Sequence, residues 1–275
     1  EDYAEQIFVT STHAELLFFT TRGRMFKLTC YEIPEAGRTA KGTAIVNLLQ
    51  LDGGEKVTTV IPVDENQGGN LVMATKNGVI KKTALSEFSN MRASGLIAVT
   101  LREDDELIGV ALTDGTRELL LGTRQGMSIR FHEDNIRLMG RSAMGVKSME
   151  LDPGDEIVSM SVVHEGTQVL TVSENGYGKR TPVEEYRVQS RGGKGIKAMQ
   201  LTDKTGLLAA LMLVREEEDV MMISDDGTII RTAVADISTQ SRSTQGVRMM
   251  RLAGDSRVVA VTATEKVEET PEAEA

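Results

Sequence analysis

Short apolar runs recur along this chain at a near-constant interval, and polar breaks ending in glycine separate them. Five such breaks align: "TTRGRMFKLT" from Thr20, "ATKNGVIKKT" from Ala74, "GTRQGMSIRF" from Gly122, "VSENGYGKRT" from Val172 and "ISDDGTIIRT" from Ile223. Each reads as a strand, a tight turn and a second strand. The turn glycines, Gly23, Gly78, Gly126, Gly176 and Gly227, lie 55, 48, 50 and 51 residues apart. Asn-Gly and Asp-Gly at several of these turns are what a tight hairpin with positive φ selects.

The remainder of each repeat keeps step. A second, shorter apolar segment follows, such as "GVKSMEL" or "GVRMMRL". Then comes an acidic or glycine-rich turn, such as "LDGGE" or "LDPGDE". A closing apolar strand ends the unit: "VTTVIPV", "ELIGVAL", "IVSMSVV", "LLAALML" and "VVAVTAT". The pattern predicts four strands per repeat of about fifty residues, the size of a propeller blade. Blades buried on both faces read as dense apolar runs rather than strict alternation. Repeats are expected at 15–64, 70–114, 118–165, 167–215 and 218–264, with a single helical turn at "SEF", "EEY" and "ADI". "EQIFVTST" in residues 1–14 matches a closing strand, so these residues are expected to be the remnant of an upstream blade, and Glu1 a cut end.

Two series of cations follow the same register. Four residues after each turn glycine stand Lys27, Lys82, Arg130, Arg180 and Arg231. About fifteen residues after it stand Arg38, Arg92, Arg141, Arg191 and Arg242, each followed closely by a glycine: Gly42, Gly95, Gly145, Gly195 and Gly246. The fullest example is "QSRGGKG", Gln189–Gly195, where Gly192, Gly193 and Gly195 surround Arg191 and Lys194; Lys41 stands near Arg38. On a radial array these cations form one belt, which suits a polyphosphate backbone better than a small ligand. Cations beside exposed backbone amides are how phosphates are held. A lone Arg in a turn is ordinarily solvated or structural; recurrence at a fixed offset is what favours a phosphate-binding role.

Composition adjusts this picture in few places. The net charge of −10 argues against nucleic acid only until the distribution is considered. Residues 265–275 hold five glutamates and one lysine and are expected to be a disordered acidic tail. The longest apolar run, Leu207–Val214, is too short to span a bilayer, and nothing reads as a signal peptide. Cys30 is the single cysteine, so a cytoplasmic setting without disulfides is expected. His13, His132 and His164 have no ligand spacing, and no cofactor or metal is expected. "EAGRTAKGT" has Thr43 where a Walker motif needs Lys. No acid, base and nucleophile cluster, and the fourteen methionines read as core. The acidic clusters Glu103–Glu106 and Glu216–Asp219 read as solvated turns.

"YEIPEAGRTAKG", "GLIAVTLREDDELIGV", "GYGKRTPVEEYRVQSRGGKG" and "TQGVRMMRL" together resemble the C-terminal domain of the bacterial DNA gyrase A subunit family, over essentially the whole chain. "QSRGGKG" matches the family box, Gln-Arg-Arg-Gly-Gly-Lys/Arg-Gly, except at Ser190. The resemblance implies an all-β fold: a six-bladed propeller-like β-pinwheel of four-stranded blades that exchange strands, with the first blade truncated here. It also implies a monomeric, non-catalytic domain, spanning 1–264, that wraps double-stranded DNA without sequence preference. The enzyme would then introduce negative supercoils, with catalysis supplied by the rest of the gyrase A subunit together with the gyrase B subunit. Tyr3, Tyr31, Tyr177 and Tyr186 are not carried over as nucleophiles. The equivalent domain of topoisomerase IV is the alternative, then a protein-interaction propeller, which would have an uncharged rim.

Overall fold

The computed structural model describes residues 6, 8–37, 39–90 and 92–265. Arg38, Tyr3 and most of the acidic tail, 266–275, lie outside them. Repeat 1 supplies β1 (Glu15–Thr20), β2 (Arg24–Thr29) and β3 (Val57–Val63). Repeat 2 supplies β4 (Asn70–Thr75), β5 (Val79–Ala84), β6 (Leu96–Ile97) and β7 (Leu107–Thr113). Repeat 3 supplies β8 (Glu118–Thr123), β9 (Met127–His132), β10 (Val146–Lys147) and β11 (Ile157–Val163). Repeat 4 supplies β12 (Gln168–Ser173), β13 (Tyr177–Pro182), β14 (Ile196–Lys197) and β15 (Leu208–Val214). Repeat 5 supplies β16 (Glu218–Ser224), β17 (Ile229–Ala233), β18 (Val247–Arg248) and β19 (Val258–Glu265).

These strands do not close repeat by repeat. The sheets run β3-β1-β2-β6, β10-β5-β4-β7, β11-β8-β9-β14, β15-β12-β13-β18 and β17-β16-β19. Each two-residue strand is therefore donated to the sheet of the preceding repeat. In the first sheet, Met25 faces Leu96 across the β2–β6 pair. This is the strand exchange that the resemblance implied. Five sheets are described where six blades were expected, and the fifth has three strands because no short strand among the described residues pairs with β17. In repeat 1 the segment equivalent to a donated strand forms a 3-10 turn at Ile45–Asn47.

The hairpins share one local design. A buried Thr or Ser ends the first strand, three residues follow, and the third is glycine. Thr75 Oγ1 accepts the Val79 amide at 3.1 Å, Thr123 Oγ1 accepts Met127 at 3.1 Å, and Ser173 Oγ accepts Tyr177 at 3.2 Å. The turn glycines have φ between +75° and +86°, the left-handed residue that a three-residue hairpin loop requires. The "SEF", "EEY" and "ADI" segments fall in 3-10 turns at Leu85–Phe88, Val183–Glu185 and Val234–Asp236.

Residues 8–14 form no strand, although "EQIFVTST" was expected to be a closing strand; Glu5 and Ile7 of that segment lie outside the described residues. The Thr12 and Ala14 carbonyls accept the Tyr31 and Cys30 amides at 2.9 Å. These residues prolong the first hairpin.

The chain divides into two compact units. One holds the first three sheets, with Arg187–Ile196 of repeat 4 carried on it. Its cores are layered between successive sheets: Phe19, Met25, Leu71 and Met73 in one, Val72, Leu119, Ile129 and Phe131 in the next. The other unit holds the last two sheets around Leu170, Val172, Met222 and Val234. In the first unit β3 packs beside β7 and β7 beside β11; in the second, β15 packs beside β19. Within each unit the closing strands therefore share one sheet edge. The donated strands occupy the opposite edge.

Candidate nucleic-acid interface

The cations four residues past the turn glycines are tied into the fold. Lys27, Arg130, Arg180 and Arg231 each reach diagonally across the hairpin, to a polar residue two positions before the one they face. Lys27 pairs with Glu15 at 2.8 Å, and Arg231 with Asp219 at 2.7 Å. Arg130 Nε donates to Glu118 Oε2 at 2.7 Å, and Arg180 Nη1 donates to Gln168 Oε1 at 3.1 Å. Two of these cations also reach a turn of the following repeat. Lys82, 6% exposed, donates to the Glu133 carbonyl at 3.0 Å and lies 3.7 Å from its carboxylate. Arg180, 9% exposed, donates to the Ile237 carbonyl at 2.7 Å and the Ala235 carbonyl at 3.0 Å. The recurrence that suggested phosphate contacts has a structural cause. A cation at this register satisfies carboxylates and carbonyls that folding buries, and a buried polar group without a partner is costly.

The second series occupies the loops that lead into the donated strands. Arg92 is exposed, as is Lys41; Arg141, Arg191 and Arg242 are half-buried. Arg191 Nε donates to the Asn135 carbonyl at 3.0 Å, and its Nη1 donates to the Lys147 carbonyl. Arg242 repeats this: its Nη1 donates to the Lys197 carbonyl, and its amide donates to Glu185 Oε2 at 2.8 Å. Each of these arginines thus lies on the donated strand of the repeat before it. Arg191 is brought beside Lys147, and Arg242 beside Lys197.

The glycines of "QSRGGKG" divide in purpose. The Gly192 amide is taken by the Ser148 carbonyl at 2.8 Å, so it is not the open phosphate donor that the sequence suggested. Gly195 has φ +74°, and a Cβ there would fall 2.0 Å from the Ser128 carbonyl oxygen. Only glycine lets the chain pass this close to β9. Gly193 has nothing within 4 Å of a built Cβ, and Lys194, 67% exposed at its side chain, stands 4.0 Å from Asp152. These two residues form the open crest of the loop.

Beneath two of the loops sits a lysine that sequence reading did not single out. Lys81 and Lys179 have no solvent exposure. Lys81 Nζ donates to the Ala98, Gly140 and Arg141 carbonyls. Lys179 Nζ donates to Ser241 at 2.8 Å, Arg242 at 2.5 Å and Thr244 at 2.9 Å. Burial lowers each ammonium to about 8. Both occupy a slot that holds Phe26, Ile129 and Ile230 in the other repeats, and they hold the loop backbone from inside.

A further exposed series was also missed. Lys147, Lys197 and Arg248 end the donated strands and are exposed, as are Arg137 and Arg187 four residues before the box arginines. A signal for them was available: no Asp or Glu occurs in 136–149, 186–202 or 237–254. These acid-free stretches all lie at the donated-strand edge. The acidic residues stand elsewhere, and not all are solvated. Asp105 is 9% exposed and accepts the Asn77 amide at 2.9 Å. Glu55 is buried and bound in bidentate fashion by Arg24. Burial alone would raise Glu55, but hydrogen bonds from Arg24, Thr20 and the Asp52 amide outweigh it and hold the carboxyl at about 2.

A family model described as "DNA gyrase C-terminal domain, beta-propeller" matches this chain over residues 14–64, 69–114, 117–164, 167–215 and 218–265. The DNA gyrase A subunit of Halalkalibacterium halodurans is 57% identical over 262 residues, covering 95% of this chain and 32% of that protein. The chain thus spans about a third of the length of the curated relatives it matches. Among solved structures, the C-terminal domain of DNA topoisomerase IV superposes with a TM-score of 0.85 at 27% identity, over 92% of this chain and 80% of that one. A DNA gyrase A C-terminal domain superposes with a TM-score of 0.80 at 25% identity, over 92% of this chain and 83% of that one.

Proposed function

The chain belongs to the DNA gyrase C-terminal domain family, and on that premise we propose that it binds, bends and wraps double-stranded DNA so that the parent topoisomerase can introduce negative supercoils. The observation that carries this reading is the repetition of acid-free, cation-bearing stretches at the donated-strand edge. Phosphate contacts are assigned to Lys41, Arg92, Arg141, Arg191, Lys194 and Arg242, with Gly193 at the loop crest, and to the exposed Lys147, Lys197 and Arg248. Arg38 keeps the role its register gives it in the sequence. Lys27, Lys82, Arg130, Arg180 and Arg231 are assigned to the fold, as are Gly192 and Gly195.

A phosphate backbone recognised through scattered cations gives affinity that falls steeply with salt and carries no sequence preference. Bending a duplex costs several kcal/mol, which contacts distributed along the edge offset. The complete domain is proposed to have six blades, since β17 is the one hairpin edge among the described residues that receives no donated strand. DNA cleavage and ATP hydrolysis belong to the rest of the gyrase A subunit together with the gyrase B subunit, in the cytoplasm, and this part uses no cofactor and acts as a monomer. The equivalent domain of topoisomerase IV is the second reading, favoured by the TM-score of 0.85.

The test is the variant Lys147→Gln/Lys194→Gln/Lys197→Gln, in which all three side chains are exposed. The slope of log K against log salt should become shallower by roughly 2 to 3, with unchanged sequence preference. A bend-sensitive energy-transfer assay should show less end-to-end approach at saturation. An unchanged slope and unchanged bending would refute the assignment.

A further inference from the structure

The last two sheets hold a cationic cavity that adjoins the donated strand β18. It encloses about 660 Å³ and is lined by Tyr177, Lys204, Arg248, Arg251 and Asp255 among others. Tyr177 begins β13 and faces Arg248 across the pair with β18. It is buried, with 5% of the residue exposed, and it lines the cavity. Arg248 Nη2 donates to the Tyr177 hydroxyl at 3.0 Å. The guanidinium carbon and Lys204 Nζ both lie 5.5 Å from the phenol ring centroid.

This arrangement has a definite polarity. A phenol oxygen that accepts from a guanidinium keeps its own proton for donation. With cations on its accepting side, that proton is left to donate to an acceptor in the cavity, and a negatively charged acceptor is the strongest match. Arg251 lines the same cavity, is exposed, and has no hydrogen bond or ion pair to another described residue. Arg257 lines it too but is held by Glu174 at 3.6 Å, so it is already neutralised. Lys204, Arg248 and Arg251 thus face one carboxylate, Asp255, which leaves positive charge uncompensated. The field is felt at the phenol itself: the Arg248 hydrogen bond, aided by Lys204, lowers Tyr177 below the usual tyrosine range. A site that stabilises a phenolate stabilises a bound anion in the same place.

We propose that Tyr177, Lys204, Arg248 and Arg251 form a phosphate-binding pocket, with the tyrosine hydroxyl and the arginines as donors. Two sources share this chemistry: a free polyphosphate, or a phosphate of the DNA backbone. The inference shares Arg248 with the DNA edge proposed above but rests on Tyr177, Lys204 and Arg251 beside it, and it survives if the role of the loop cations in DNA binding fails.

Calorimetric titration of the 275-residue chain with tripolyphosphate tests it. Tyr177→Phe and Arg251→Gln should each weaken tripolyphosphate about tenfold, the loss expected for one charge-assisted hydrogen bond. Arg251→Gln has no described partner to lose and should melt as the parent does. Lys56→Gln, an exposed cation outside the cavity, should bind as the parent does. Adding a short duplex then separates the sources. If the duplex displaces tripolyphosphate and Arg251→Gln makes its salt slope shallower by about 1, the pocket takes backbone phosphate. If tripolyphosphate binds equally well to the DNA-bound protein, the pocket takes free polyphosphate. Equal weakening by all three substitutions, or by none, would overturn the proposal, because binding would then follow net charge alone.

Discussion

Replacing Arg180 with Met separates a cation that holds the fold from one proposed to contact DNA. The guanidinium is 9% exposed and donates to Ile237, Ala235 and Gln168. Its ion pair with Glu216 spans 3.8 Å to a carboxylate with 74% side-chain exposure, which adds little. Methionine keeps the aliphatic stem and removes the three donors. Each charge-assisted hydrogen bond is worth about 1.5–3 kcal/mol, and recovering the guanidinium's desolvation offsets roughly half of the total. The expected net loss is about 3 kcal/mol. For a chain of this size it corresponds to a melting temperature lower by about 6–12 °C. Thermal unfolding by circular dichroism reads the shift. Hydrogen exchange should show lost protection at the Ile237 amide, which donates to the Val234 carbonyl in the adjoining turn. DNA binding measured well below the transition should keep the parent salt slope. A variant that melts with the parent and whose slope is shallower by about 1 would refute the assignment of Arg180 to the fold.

Gly195→Ala should cost at least about 3 kcal/mol in urea unfolding, because a left-handed backbone and a 2.0 Å clash with the Ser128 carbonyl coincide. Gly193→Ala, with open space around it, should stay within about 0.5 kcal/mol of the parent. The Glu55 carboxyl is held at about 2, below its unfolded value near 4.5, so its contribution is complete above pH 4.5 and fades as pH falls toward 2. The stability difference between the parent and Glu55→Gln, followed by urea midpoints from pH 7 to pH 3, should therefore shrink on acidification; a constant difference would contradict this.

What the sequence revealed and what it hid divide along a physical line. Turn glycines and dense apolar runs are dictated locally, so the hairpins and closing strands could be placed from "TRQGMSIRF" and its counterparts. The donated strands could not be placed this way. Val146–Lys147 is two residues long, and its partner, β5, belongs to another repeat. The cation register misled for a related reason. Glu15, Glu118 and Asp219 lie diagonally across their hairpins from Lys27, Arg130 and Arg231, and a fixed offset between opposite charges is as much a property of a hairpin as of a binding edge. Lys81 and Lys179 were hidden because a lysine in an apolar slot declares its purpose only once the carbonyls above it are known. The acid-free stretches around Arg141, Arg191 and Arg242 were legible in principle. Their signal is the absence of carboxylates, which a register of recurring cations does not contain.

Strand donation also sets a timetable for synthesis on the ribosome. The first hairpin ends at Thr29, but its sheet stays incomplete until Leu96–Ile97 has emerged. The fourth likewise waits from Pro182 until Val247–Arg248. A nascent chain therefore always carries the uncovered edge of its newest hairpin and, until that repeat's own short strand emerges, the edge of the repeat before it as well. Release from the ribosome before a donated strand has emerged leaves the preceding repeat's sheet one strand short, so the same kind of edge is exposed whichever repeat is interrupted.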